Sequence, residues 1–223
     1  MFLVLLLNPS IEKLFIDYIH SVLGPEIKEL MYIKPGEIVL KNNRYCNLFE
    51  HKHVVYWHNF LINVFHSKYT SKNYALILPC SSVKPYRVSP IHRMIDKYLS
   101  VYGIQDMVQV YILSEPMILV PRELDIYYPF ANYDYPPKEL DPKYRDKFVD
   151  ILSIVLEKLK NHKYILAFLP KHHKSILNDA LKKCRYCVNI EFFDYGKKAF
   201  RQTRYVIEYL NNVIRKDFDL KLK

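Results

Sequence analysis

Short apolar runs alternate with longer amphipathic stretches through most of this 223-residue chain. The apolar runs predict strands at 74–79, 107–113, 163–169 and 187–193. Helical spacing of apolar side chains predicts helices at 54–66, 90–101, 142–160, 172–183 and 198–215. Strands that alternate with helices are typical of a mostly parallel sheet with helices on both faces. We therefore predict an α/β fold, a three-layer α/β/α domain with a sheet of about four strands.

The first 50 residues follow a less regular pattern. Residues 10–23 place apolar side chains at helical spacing and predict an amphipathic helix, and residues 38–40 predict a short strand. The opening run at 1–7 is too short to span a bilayer and precedes a turn signal, so we predict a core strand there. We accordingly expect a small extension at 1–50 and a core domain at 51–223.

The segment from Glu115 to Pro142 interrupts the alternation of strands and helices. It is rich in proline and tyrosine and has little period of its own. Connections of this length in compact domains are usually functional or disordered, and aromatic residues argue against disorder. We therefore expect an ordered loop over the strand ends.

Charge and cysteine content narrow the class of protein. The net charge is +10, which favours a polyanionic partner, with nucleic acid as the first candidate and a merely soluble surface as the alternative. The four cysteines have no disulfide-framework spacing, and the N-terminus has no signal-peptide pattern. We expect a cytoplasmic protein with no membrane partner and no cofactor.

Polar residues follow each predicted strand of the sheet. Ligands of open parallel sheets bind at the carboxyl ends of the strands, so these residues are site candidates. Cys80 follows the first strand, where backbone N–H groups of the next turn can stabilise a thiolate. Taken alone, Cys80 equally suits a small apolar residue that closes a core strand. The four strand ends are Pro79–Ser81, Ser114–Pro116, Pro170–His172 and Asp194–Gly196.

The residues after Cys80 favour chemistry over packing. Lys84 can lower the pKa of a nearby thiol or bind phosphate, Tyr86 can stack or donate a hydrogen bond, and His92 can transfer protons near neutral pH. Four polar residue types between a buried strand and a helix are hard to explain as a solvated loop.

The segment 79–92 resembles a known signature. Its spacing is that of the PC-x3-KPY-x2-S-x2-H motif of the archaeosine synthase family, archaeal transglycosylase paralogs that modify tRNA. The resemblance extends from about residue 50 to about residue 200, the family's core domain. The matching residues are Pro79, Cys80, Lys84, Pro85, Tyr86, Ser89 and His92, with further similarity at His53–His58, Ser114–Pro116, Val120–Leu124 and Tyr128–Asp134.

The resemblance implies an enzyme that acts on tRNA already carrying 7-cyano-7-deazaguanine in the D-loop. Family members add an amine, lysine in characterised members, to the nitrile to give an amidine, and a radical-SAM partner then releases archaeosine. We predict Cys80, Lys84, His92 and Asp134 as catalytic residues, with Cys80 as the nucleophile that forms a thioimidate. We predict substrate contacts from Tyr86, Ser89, Ser114, Arg122, Glu123 and Tyr133.

The chain also departs from the family pattern. Longer members carry an N-terminal transglycosylase-like domain and a C-terminal RNA-binding PUA domain, for which 223 residues leave no room. Pro137–Leu140 stands where the family has a glycine and a tryptophan. We therefore expect either the basic surface or a separate chain to supply tRNA binding.

Three other interpretations remain open. Cys184 and Cys187 have the spacing of half a zinc site, but a structural site needs four ligands, so we assign no metal. A noncatalytic tRNA-binding subunit would explain the charge but not Cys80. The predicted architecture is also similar to uracil-DNA-glycosylase-like folds, although glycosylases need an acid or polarised water where this chain has a cysteine.

Overall fold

The computed structural model describes residues 9–30, 32–43, 45–70, 72–186, 188–196 and 199–221. Its strands are β1 Leu40–Lys41, β2 Tyr74–Pro79, β3 Val108–Ser114, β4 Ile118–Pro121, β5 Tyr133–Asp134, β6 Tyr164–Leu169 and β7 Ile190–Asp194. Its α-helices are α1 Ile11–Leu23, α2 Ile27–Leu30, α3 Lys52–Asn63, α4 Pro90–Val101, α5 Pro142–Glu157, α6 Lys171–Lys183 and α7 Ala199–Lys221.

Five of these strands form one central sheet in the order β4-β3-β2-β6-β7. All neighbours are parallel except β3 and β4, which pair antiparallel. The chain moves outward from β2 to β3 through α4, and it then returns to the other side of β2 to build β6 and β7. The direction of winding therefore reverses between β2 and β6, which is where open α/β sheets bind ligands.

Alternating side chains of the strands enter two separate cores. Ala75 and Ile77 of β2 join the cluster that includes α1, α3, α5 and α6. Leu76 and Leu78 of the same strand join the cluster formed with α4 and α7. Because a strand points successive side chains to opposite faces, two cores on one strand require helices on both sides. The three-layer α/β/α prediction is confirmed.

The predicted elements are present at nearly their predicted bounds, with three additions, of which the first is the short helix α2. The sequence missed β4 and β5, two short strands inside the segment from Glu115 to Pro142. The strand predicted at 1–7 lies outside the described residues, as do Lys197 and Lys198. No helix in the described part of the chain combines the length and apolarity needed to cross a bilayer.

Residues 34–41 hold the segment that carries Tyr133 and Asp134. Strand β1 pairs in parallel with β5, placing Leu40 opposite Tyr133. The side chain of Asn132 donates hydrogen bonds to the carbonyls of Lys34 and Glu37, at 2.8 and 2.9 Å. These contacts therefore fix the backbone of Tyr133 and Asp134 beside the ends of the central strands.

Gly36 of the same segment lies close to Lys84 in the signature segment 79–92. Its φ of +94° is unfavourable for residues with a side chain, and an added Cβ would lie 3.0 Å from the Lys84 carbonyl oxygen. We expect Gly36→Ala to lower the free energy of unfolding by about 2 kcal/mol. Gly24→Ala is the matched control because its φ is +52° but no heavy atom lies within 4 Å of the added Cβ. Urea unfolding that gives equal losses for both variants would exclude the contact with Lys84 as a cause.

Candidate active site

A cavity of about 480 Å³ opens at the carboxyl ends of the central strands. Cys80 follows β2, Glu115 follows β3, His172 and His173 lie in the first turn of α6 after β6, and Tyr195 follows β7. The lining therefore comes from every parallel strand of the sheet. It consists of Pro79, Cys80, Ser81, Ser82, Lys84, Ser114, Glu115, Tyr133, Asp134, Tyr135, Pro136, Pro137, Pro170, His172, His173 and Tyr195.

The thiol of Cys80 lies against a buried carboxylate and a buried imidazole. Cys80 Sγ is 3.9 Å from Glu115 Oε2, and His173 Nε2 is 3.1 Å from the same oxygen. The other carboxylate oxygen, Oε1, is 2.7 Å from Nε2 of His172. The Glu115 side chain has no exposed surface, whereas His172 faces solvent. One carboxylate thus holds two imidazoles, of which the inner one, His173, also interacts with the sulfur.

The charges in this group stabilise each other. Burial alone would lower the pKa of His173, but Cys80 and Glu115 raise it to about 10. Burial alone would raise the pKa of Glu115, but hydrogen bonds from His172 and His173 hold it well below its usual range. His173 is therefore an imidazolium and Glu115 a carboxylate at neutral pH.

Lys84 brings a second positive charge to the cavity. Its ammonium donates to the carbonyl oxygen of Ser81 at 2.7 Å and lies 4.5 Å from the ring centre of Tyr133 and 5.0 Å from that of Tyr86. Burial lowers its pKa, while Cys80, Asp134 and Glu115 act in the opposite direction. Beneath the ammonium, Tyr86 OH, Tyr133 OH and Ser114 Oγ are joined by hydrogen bonds. Lys84 is thus held against a rigid aromatic floor.

Two signature residues lie behind the cavity. His92 is buried, and its Nε2 contacts the carbonyl oxygen of Pro79 at 2.9 Å. Burial and then Arg122 lower its pKa to about 3, so its imidazole is neutral and Nε2 must be the donor. Ser89 is buried at the start of α4. Neither lines the cavity. The proton-transfer role of His92 and the substrate contact of Ser89 stay predictions, and the position of His92 fits support of the Cys80 backbone better.

The predicted site residues divide between two cavities. Cys80, Lys84, Ser114, Tyr133 and Asp134 are brought together in the cavity described above, with Tyr86 forming its floor. Arg122 and Glu123 line a different cavity of about 380 Å³. Arg122 and Glu123 therefore do not line the cavity that holds Cys80 and Asp134, and their substrate contacts stay predictions.

Local ion pairs and hydrogen bonds occupy the two residues of the second cavity. Arg122 lies 3.2 Å from Asp96 and 3.5 Å from Asp125. Glu123 accepts a hydrogen bond from Gln109 at 2.7 Å.

The sequence placed Glu115, His172 and Tyr195 at the predicted strand ends but gave them no role, and it did not single out His173. The available signal was position, because each of the four follows a strand within four residues. Cys184 and Cys187 have the spacing of half a zinc site, but the described residues show no metal ligands there. Cys184 is disulfide-bonded, and Cys187 lies outside the described residues.

Three curated relatives share part of the chain. The chain is 31% identical over 99 residues to the archaeosine synthase subunit alpha of Thermoplasma acidophilum, covering 44% of this chain and 19% of that protein. It is 33% identical over 111 residues to the archaeosine synthase of Methanocaldococcus jannaschii, covering 47% and 18%. A match to archaeosine synthase subunit alpha of Methanosarcina acetivorans is 41% identical over 59 residues, covering 26% and 9%. The chain thus spans less than a fifth of the length of these relatives.

A family model and a solved structure complete the comparison. The crystal structure of AF0587, a protein of unknown function, matches 65% of this chain and 45% of that chain, with 20% identity and a TM-score of 0.43. Residues 54–200, well over half of the chain, match the family described as a domain of unknown function, DUF5591. The chain belongs to the DUF5591 family, and it shares part of this core domain with proteins named archaeosine synthase.

Proposed function

We propose that this chain adds an amine, lysine in the first instance, to the nitrile of 7-cyano-7-deazaguanine in tRNA, as a step of archaeosine synthesis. The proposal rests on the relatives named archaeosine synthase and on the signature at 79–92. One observation carries it beyond the names: Cys80 lies in a cavity against an imidazolium that a buried carboxylate orients. A cysteine sulfur, an imidazole that gives and takes a proton, and a carboxylate that orients the imidazole are the parts of nucleophilic catalysis.

The first step forms a covalent intermediate. The thiolate of Cys80 attacks the electrophilic nitrile carbon, so that a C–S bond forms and one C–N π bond breaks. The resulting nitrogen anion takes a proton from His173, which carries one at neutral pH because its pKa is raised to about 10. The product of this step is a neutral thioimidate bound to the protein.

The second step replaces sulfur with the amine. The amine attacks the thioimidate carbon, a C–N bond forms, and the amine proton passes to His173. The C–S bond then breaks and the thiolate leaves, which restores Cys80 and yields the amidine. Nitrile and amine are consumed with no oxidant, reductant or other reactant. Lys84 stabilises the thiolate at both stages, and Asp134, exposed at the cavity wall, is available to hold the amine or the base edge.

The direct test is chemical analysis of the tRNA. The protein is incubated with nitrile-bearing tRNA and lysine. The tRNA is then digested to nucleosides, whose masses are measured by mass spectrometry. We expect a mass increase of one lysine on the deazaguanosine. If the protein binds the tRNA tightly but the mass of the deazaguanosine does not change with lysine or with other amines, the chain is a noncatalytic tRNA-binding subunit and not an enzyme.

Binding of tRNA is expected to be mainly electrostatic. The net charge is +10, and α7 exposes basic residues such as Arg201. About four neutralised phosphates would lower affinity roughly 100-fold between 50 and 200 mM salt. Fluorescence anisotropy with labelled tRNA measures this slope. An affinity that stays flat over that range would show that the basic surface is not the binding surface.

A separate chain is part of the proposal. Two of the relatives are named as subunit alpha, and the chain spans less than a fifth of their length. We propose that a partner with RNA-binding domains presents the tRNA, and that a radical-SAM enzyme acts after amidine formation.

A further inference from the structure

The group around Cys80 offers three different metal-ligating atoms to one point. A sulfur of Cys80, a carboxylate oxygen of Glu115 and a ring nitrogen of His173 all lie within 4.8 Å of one another. Glu115 and His173 are almost fully buried, at 1% and 4% exposure. Sulfur, nitrogen and oxygen ligands together are typical of zinc, whereas magnesium and calcium take oxygen ligands.

The spacing fits a tetrahedral ion with one open position. Ligand bonds of about 2.0–2.3 Å place neighbouring ligand atoms of a tetrahedron about 3.3–3.6 Å apart. The observed separations are 3.9 Å from Cys80 Sγ to Glu115 Oε2 and 3.1 Å from His173 Nε2 to Glu115 Oε2, each within a few tenths of an ångström of these values, and the third separation is at most 4.8 Å. All three ligand residues line the cavity, so a fourth ligand can enter from there.

The surroundings of the three ligands are also those of a metal site. His172 donates to the carboxylate oxygen that does not face the sulfur, at 2.7 Å, and would keep the Glu115 carboxylate in place. Metal-ligating carboxylates are usually held by such outer hydrogen bonds. The cavity supplies the entry path, and proton loss from His173 and the thiol accompanies binding.

We propose that Cys80, Glu115 and His173 bind a thiophilic divalent cation, zinc above all, and that the bound ion switches off amine addition by occupying the sulfur of Cys80. The proposed metal binding rests on geometry alone. The proposed inhibition rests on the proposed function, because an ion bound to the sulfur of Cys80 stops the reaction only if that sulfur is catalytic.

Cobalt is the probe that reports the sulfur directly. We expect one equivalent of Co²⁺ to produce a near-ultraviolet thiolate-to-cobalt charge-transfer band, which Zn²⁺ abolishes by displacement. Cys80→Ser should remove the band, and His173→Gln should weaken binding at least about 100-fold. Loss of the outer contact in His172→Gln should weaken binding about 10-fold. Cys46→Ser is the matched control, because Cys46 is the other free cysteine among the residues that the structure describes, and its loss should leave the band unchanged.

A measurement on the unaltered protein guards against misfolded variants. Iodoacetamide should alkylate the peptide containing Cys80, and Zn²⁺ should block that reaction until a chelator is added. Cobalt binding without the charge-transfer band, or alkylation of Cys80 that Zn²⁺ does not slow, would overturn the metal site. If the metal binds but the protein adds no amine to tRNA, the proposed function falls and the site stands. If amine addition to tRNA proceeds unchanged when Zn²⁺ saturates the site, the proposed inhibition is wrong and the metal site still stands.

Discussion

Replacing Cys80 with alanine should reduce amine addition to nitrile-bearing tRNA by at least about 1,000-fold, because the group that forms the C–S bond is gone. Folding and tRNA affinity should change little, since a half-buried side chain at a strand end is replaced by a slightly smaller one. Cys80→Ser should be nearly as inactive, because a hydroxyl is far less ionised than a thiol at neutral pH. Single-turnover rates from nucleoside mass spectrometry measure all three proteins.

The covalent intermediate gives an independent observation. With the amine withheld, wild-type protein and nitrile-bearing tRNA should form an adduct on the peptide of residues 79–92, and Cys46→Ser should form it equally well. The adduct should disappear when lysine is added. An alanine variant that keeps the wild-type rate would mean that lysine attacks the nitrile directly, with Cys80 as a packing residue.

The order of layers was predictable because burial on both faces leaves a simple pattern. Strands β2 and β6 are continuous apolar runs, β3 is interrupted before its final serine only by Gln109, and α4 begins at Pro90 with Ser89 before it, as helix starts commonly do. The short strands β4 and β5 lie among prolines and tyrosines, and they form only because β3 and β1 offer partners. Pairing between distant segments is not encoded in local periodicity.

The site was predictable in part for a related reason. The strand-end rule placed Cys80, Ser114 and the start of α6 at one edge before any contact was known. It did not show that Glu115 would be buried under two imidazoles, because a single sequence contains no sign of which acids lose their solvent. Conversely, His92 resembles a catalytic residue in the sequence, yet it is neutral and bonded to a backbone carbonyl.

The carboxylate of Glu115 should matter for both stability and rate. Glu115→Gln removes the charge that holds His172 and His173, and removal of one partner from a buried ion pair costs about 3 kcal/mol or more. Without that charge the pKa of His173 should fall, so fewer molecules carry the proton needed by the nitrile nitrogen. We expect amine addition to fall about 100-fold. Urea unfolding and single-turnover rates measure the two effects.

The dependence on pH separates this ion pair from ordinary packing. The pKa of Glu115 is depressed, so its stabilisation exists above its ordinary value of 4.5 and is lost as pH falls. The pKa of His173 is raised to about 10, so its stabilisation is complete below 6.5 and is lost as pH rises through 10. The difference in unfolding free energy between wild type and Glu115→Gln should therefore be largest near about pH 6 and shrink at about pH 3 and pH 10. The control is Glu50→Gln, which breaks the exposed pair with Lys143 and should change stability little at any pH. A Glu115→Gln deficit that stays constant from acid to alkaline pH would assign the loss to packing, and the positive charge of His173 would then need another source of stabilisation.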